Sequence, residues 1–178
     1  MSAPPADDGP VRAIDLPTAA ATHDLGRALG ARLRAGDVLI LSGPLGAGKT
    51  ALTQGIGAGL GVASGVVSPT FVIARVHTEG RVPLVHVDAY RLGGLGELDD
   101  LDLDVALADS VTVIEWGAGL AEALSEEYLR IDLARFEDAE DTEVRRAELR
   151  PCGGDWPQRV DAALAAVAGA AAAAPRHG

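Results

Sequence analysis

A single lysine carries the strongest chemical signal in the chain. Lys49 stands in Gly43-Pro44-Leu45-Gly46-Ala47-Gly48-Lys49-Thr50, a complete G-x-x-x-x-G-K-[ST] pattern, and the other fourteen basic residues are all arginine. Glycines at that spacing let successive backbone N–H groups turn inward around a phosphate, and a helix beginning at the loop adds partial positive charge there. In such a loop the lysine reaches the β- and γ-phosphates and the Thr50 hydroxyl faces Mg2+. With one lysine available, two glycines, that lysine and a Ser or Thr align by chance in only about 0.1% of shuffled sequences. Nucleotide binding is the chemistry this segment predicts.

A phosphate loop needs a carboxylate for its metal, usually at the C-terminal tip of a neighbouring strand. Asp88 ends Val85-His86-Val87-Asp88 and Glu115 ends Val111-Thr112-Val113-Ile114-Glu115, so each apolar run delivers one acid at its end. Both are candidates for the metal. Three of the six aromatics adjoin these segments: Tyr90 follows Asp88, Trp116 follows Glu115, and Phe71 follows Ser68-Pro69-Thr70. That last triplet reads as a switch-like turn whose hydroxyls, Thr70 among them, can reach a γ-phosphate or its water. His86 reads as a core or interface histidine. Arg91 suits a phosphate, a partner or a surface ion pair equally well. The run from Glu97 to Asp104 interleaves acids with leucines, as a solvated edge does.

The elements that must hold these groups alternate in type. Strand-like runs fall at Val11–Leu16, Val38–Ser42, Phe71–His77, Val82–Asp88, Val111–Glu115, Tyr128–Arg135 and Val144–Arg150. Leu25, Ala28, Leu29 and Leu33 recur at helical spacing, with Thr18 as the N-cap and Gly36 as the stop. A second helix begins at Gly48 and runs to Leu60, closed by Gly61. Short connections make Phe71–His77 with Val82–Asp88, and Tyr128–Arg135 with Val144–Arg150, two antiparallel hairpins. The expected fold is an α/β three-layer sandwich of phosphate-loop type, with a mixed, mainly parallel central sheet plus antiparallel hairpins. It forms one domain over residues 11–168, between a disordered stretch 1–10 and a low-complexity alanine-rich tail 169–178.

Composition narrows the partners. Fifteen basic and twenty-six acidic residues give a net charge of −11, so no general attraction draws this surface to nucleic acid or anionic lipid. No apolar run is long enough for a bilayer, and the first ten residues lack a leader pattern. The one cysteine, Cys152, has no partner for a disulfide and no zinc-type spacing, which suits a reducing cytoplasm.

GPLGAGKT, SPTF, HVDAYRL and VIEWG, in that order, resemble the TsaE family, also called YjeE, over residues 11–150. The resemblance implies a cytoplasmic ATPase of tRNA threonylcarbamoyladenosine biosynthesis that works with TsaB and TsaD, its cofactors ATP and Mg2+. It further implies that Gly46, Ala47, Gly48, Lys49, Thr50 and Ala51 contact the nucleotide phosphates and that Thr50 and Glu115 ligate Mg2+. Lys49, Asp88 and Thr70 serve catalysis on this reading, with Asp88 the Walker B-like acid and Thr70 in the switch segment. Trp116 matches a tryptophan near the nucleotide, and Thr22 a threonine near the adenine, against the alternative of a helix-surface threonine. Asp88 and Glu115 could share or exchange the metal role. Given the acidic surface, tRNA is expected to be contacted through the partners. A small-molecule kinase with the same loop, and a nucleotide-gated adaptor with negligible turnover, are the competing readings.

Overall fold

The computed structural model describes residues 9–67, 74–91, 107–117, 119, 121–136 and 143–174. Seven strands form one sheet: β1 (Arg12–Leu16), β2 (Val38–Ser42), β3 (Ala74–His77), β4 (Leu84–Asp88), β5 (Val111–Glu115), β6 (Tyr128–Arg135) and β7 (Arg145–Cys152). Their spatial order is β1-β7-β6-β2-β5-β4-β3. The four central strands β6, β2, β5 and β4 run parallel, and β1, β7 and β3 join the edges antiparallel. Both expected hairpins are present, and the sheet is mixed as expected.

Continuous apolar runs place β2 and β5 at the centre, because a parallel strand is covered on both faces. Leu39 and Leu41 point into one core cluster, Val38 and Ile40 into the other. The first cluster is roofed by three helices, α1 (Ala19–Gly30), α2 (Lys49–Leu60) and α3 (Trp156–Ala173). On the opposite face, among the described residues, Leu107, Leu124, Tyr128 and Cys152 pack with the second cluster. Two of the three expected layers are thus described. Residues 92–106, with the acid–leucine run, lie outside the described residues.

Local signals explain the helix ends. The Thr18 hydroxyl accepts from the Ala21 N–H at 3.1 Å, the N-cap expected of it. The helix stops at Gly30, six residues before the expected Gly36. Gly36 instead makes the left-handed turn into β2 at φ +92°, its N–H bonded to the Ser110 carbonyl. Gly61 closes α2 in the left-handed conformation, as expected.

Helices α1 and α2 cross backbone to backbone. A Cβ on Gly26 would lie 2.2 Å from the Leu52 carbonyl oxygen, and one on Gly55 2.1 Å from that of His23. This approach decides where Thr22, one turn before Gly26, ends up. Helix α3 anchors through Trp156, Val160 and Ala163, at helical spacing, and beyond residue 167 its described residues are exposed. The alanine-rich segment therefore continues a helix through Ala173, with no described core to pack against.

Candidate functional site at the phosphate loop

The end of β2 passes into the loop at Gly43, and α2 starts at Lys49. Gly43, Gly46 and Gly48 all have positive φ, at +144°, +76° and +102°, where a side chain is strained. Gly43 is restricted twice, since a Cβ there would also lie 2.4 Å from the Leu133 carbonyl oxygen. Ala47 is buried in the core, while Thr50 is exposed on the first turn of α2 and Ala51 is half-buried behind it.

Lys49 is only 6% exposed. Its Nζ donates to the carbonyls of Gly43 at 2.7 Å and Pro44 at 3.0 Å, and lies 4.0 Å from the centre of the Trp116 ring, a cation–π distance. Burial pulls the ammonium below its ordinary pKa of 10.5, while the charges of Glu115 and Asp88 act the other way. The two expected acids thus share one electrostatic neighbourhood with the lysine.

Sheet register brings the acids together. Asp88 and Glu115 are partners at the tips of adjacent parallel strands β4 and β5, on the helix-covered side of the sheet. Asp88 is half-buried and accepts the Tyr90 N–H at 3.0 Å, which fixes the 3-10 turn Ala89–Arg91 that follows. Glu115 is buried, 5% exposed. One of its oxygens meets His86 Nε2 at 2.8 Å. Trp116 is the only described non-glycine residue with positive φ, +61°, a conformation that costs a bulky residue of the order of 1–2 kcal/mol. Its N–H still bonds the Leu41 carbonyl at 2.9 Å, so the backbone is held while the indole is turned over Lys49 and against Tyr90, with ring centres 5.2 Å apart. Strain of this kind collects where a side chain must be aimed.

Thr22 is 1% exposed, which overturns the helix-surface alternative. Its methyl lies 3.4 Å from where a Cβ on Gly48 would sit, and its hydroxyl bonds the Thr18 carbonyl at 3.4 Å. The close crossing at Gly26 sets it beside the loop. Thr70, with Ser68, Pro69 and Phe71, lies outside the described residues, and so does the Arg91 side chain.

Two further groups border this end, the first not singled out from sequence and the second read there only as a core or interface histidine. Arg135 and Arg145 are register partners on β6 and β7; Arg145 Nε donates to the Gly46 carbonyl at 3.2 Å, and Arg135 Nη1 would lie 3.5 Å from a Cβ on Gly46. The hairpin register, read onward from Tyr128, was the available signal. His86 is the second: it shares the strand face of Asp88, two residues on, and that period-2 relation was legible.

Glu115 and Asp88, at adjacent strand tips, and the Thr50 hydroxyl, on the residue after Lys49, are hard oxygen donors of the kind that suits Mg2+. Among the described residues no three His, Cys, Asp or Glu side chains cluster as a self-sufficient metal cage. Magnesium fits this arrangement, because it is held by one or two carboxylates together with substrate phosphates and water.

Strand order, a glycine loop between strand and helix, and acids on the neighbouring strand tips define an α/β protein of P-loop type. A family-wide sequence profile described as "Threonylcarbamoyl adenosine biosynthesis protein TsaE" matches residues 16–146, and the chain belongs to the TsaE family. It is 57% identical over 137 residues to the tRNA threonylcarbamoyladenosine biosynthesis protein TsaE of Streptomyces coelicolor, covering 75% of this chain and 93% of that one. The Mycobacterium leprae protein of the same name is 49% identical over 144 residues, 76% of this chain and 84% of its own. Among solved structures, Bacillus subtilis YdiB superposes with a TM-score of 0.71 at 27% identity, over 88% of this chain and 96% of that one. No helix among the described residues is long and apolar enough to cross a membrane.

Proposed function

We propose that this TsaE-family chain is a Mg2+-dependent ATP-binding and ATP-hydrolysing subunit of tRNA threonylcarbamoyladenosine biosynthesis, acting in the cytoplasm on a TsaB–TsaD complex that itself contacts the tRNA. The observation that carries the reading is the position of Lys49: a buried ammonium inside a glycine loop, influenced by both strand-tip acids and covered by a strained tryptophan.

The loop N–H groups from Gly46 to Ala51 and the Lys49 ammonium bind the β- and γ-phosphates and stabilise the charge that spreads over the γ-phosphoryl oxygens. Thr50 and Glu115 would hold Mg2+, which would supply positive charge against the charge developing on the phosphates. Asp88, at the same rim, orients the attacking water in line with the leaving oxygen, with Thr70 as its companion from the switch segment. Trp116 and Tyr90 exclude bulk water from the lysine. Thr22 borders the loop at Gly48, beside the base and sugar.

Phosphate release from ATP tests the reading. It should require Mg2+, need no small-molecule acceptor, rise on addition of TsaB–TsaD, and fall by about 100- to 1000-fold in Asp88→Asn. Release that depends strictly on one added metabolite would mean a kinase instead. Full support of tRNA modification by a Glu115→Ala protein without turnover would mean a nucleotide-gated adaptor.

A further inference from the structure

The buried contact between His86 and Glu115 asks for a cause. His86 is fully buried on β4, opposite Val113, and reaches diagonally to Glu115 two residues further along β5. The 2.8 Å contact joins Nε2 to Oε1, and with the carboxylate accepting, Nε2 carries the hydrogen. The other ring nitrogen, Nδ1, is buried and has no partner among the described residues. A leucine or methionine would fill this volume without burying an unpaired polar nitrogen, which costs of the order of 1–3 kcal/mol. Among the described residues, the bond to Glu115 is the polar contact that offsets this.

That bond restricts Glu115 more than it stabilises the core. A carboxylate at a strand tip rotates about its last torsion, which is broad and two-fold. A donor mounted on the neighbouring strand selects one rotation and takes one oxygen, Oε1, leaving Oε2 for another partner. Ligands are commonly held this way, by a hydrogen-bonded group behind them, and loss of that group typically lowers metal affinity about 10- to 100-fold.

We propose that His86 is a positioning residue that sets the Glu115 carboxylate for the divalent cation of the nucleotide site. This rests on the reading of Glu115 as a metal ligand given above. His86 touches neither nucleotide nor metal; it acts through Glu115.

The test compares two polar substitutions of different reach. The amide nitrogen of His86→Gln falls near the place of Nε2 and keeps a donor for Glu115, whereas that of His86→Asn falls near Nδ1 and stops short. ATP binding is followed by titration calorimetry, first in EDTA and then across a Mg2+ series, with thermal unfolding as the check on folding. His86→Asn should bind ATP in EDTA as the native protein does but need about 10- to 100-fold more Mg2+ for half-maximal enhancement, and His86→Gln should recover to within a few-fold. Should His86→Asn not fold, His86→Leu takes its place with the same expectation. A folded His86→Asn or His86→Leu with native Mg2+ dependence overturns the proposal, as does a His86→Gln no better than His86→Asn. Native protein whose ATP binding ignores Mg2+ overturns the metal reading itself, so the two failures are distinguishable.

Discussion

At the C-terminal ends of β2, β4 and β5, Lys49 rests on two backbone carbonyls and an indole face, with Asp88 and Glu115 beside it and three glycines at positive φ beneath. At the opposite end of the same sheet, just before β2, Asp37 is equally buried and its charge is closed off. Arg159 donates two bonds to it at 2.5 and 3.0 Å, and the Arg34 N–H a third at 2.8 Å. Arg159 also bonds Asp155 at 2.9 Å and lies over the Trp156 ring at 3.9 Å. Each end holds buried charge, a tryptophan and a cation–π contact. The difference is how the charge is held: a paired cluster clamps α3 to the sheet, whereas strained backbone gathers a lysine and two strand-tip acids at a glycine loop, an arrangement that suits something from outside.

Breaking the closed end should cost stability and spare binding. Arg159→Leu leaves Asp37 buried and short of two hydrogen bonds, and should lower unfolding free energy by about 3–5 kcal/mol in denaturant titration. ATP affinity should stay within about twofold; a parallel loss of affinity would erase the distinction between the ends. Gly26→Ala should be milder in stability, about 1–3 kcal/mol, because its methyl meets the Leu52 carbonyl and forces the α1–α2 crossing apart. It should also weaken ATP binding, since it moves Thr22 away from Gly48, and an unchanged affinity would detach Thr22 from the site.

The smallest effect is a pH dependence. Burial lowers the Lys49 pKa below 10.5, and phosphate favours the ammonium, so ATP binding should take up protons in the alkaline range and weaken as pH rises through the lowered value. For folding the sign is opposite: between the two values the unfolded chain binds more protons, so this group's contribution to stability rises with pH. Calorimetry in buffers of different ionisation enthalpy reads the uptake, and Lys49→Arg should abolish it.

How much of this was legible depends on how local each cause is. The phosphate loop was, because its glycines are forced by backbone geometry within eight residues. Asp88 and Glu115 were, because an acid closing an apolar run marks a strand tip, though only the sheet shows them to be register partners. Helix α3 was obscured by alanine, with three buried residues in eighteen carrying its packing. The helix stops at Gly30 while Leu33, past its end, is still buried, so a search for glycine after the last leucine overshoots. The His86–Glu115 and Arg159–Asp37 contacts join residues 29 and 122 apart, and no local pattern announces such a pair. Thr70, expected from sequence as a turn hydroxyl, lies outside the described residues.

The central claim is that the open end of the sheet holds a Mg2+–nucleotide through Lys49. Titration of ATP into the full chain with and without Mg2+, beside Lys49→Ala, tests it most directly. Binding should be tighter with Mg2+, weaker by at least about 100-fold in Lys49→Ala, and folding stability should not fall, since the substitution removes a buried ammonium. Equal affinity in the native and Lys49→Ala proteins, or no ATP binding by the native chain, would contradict it.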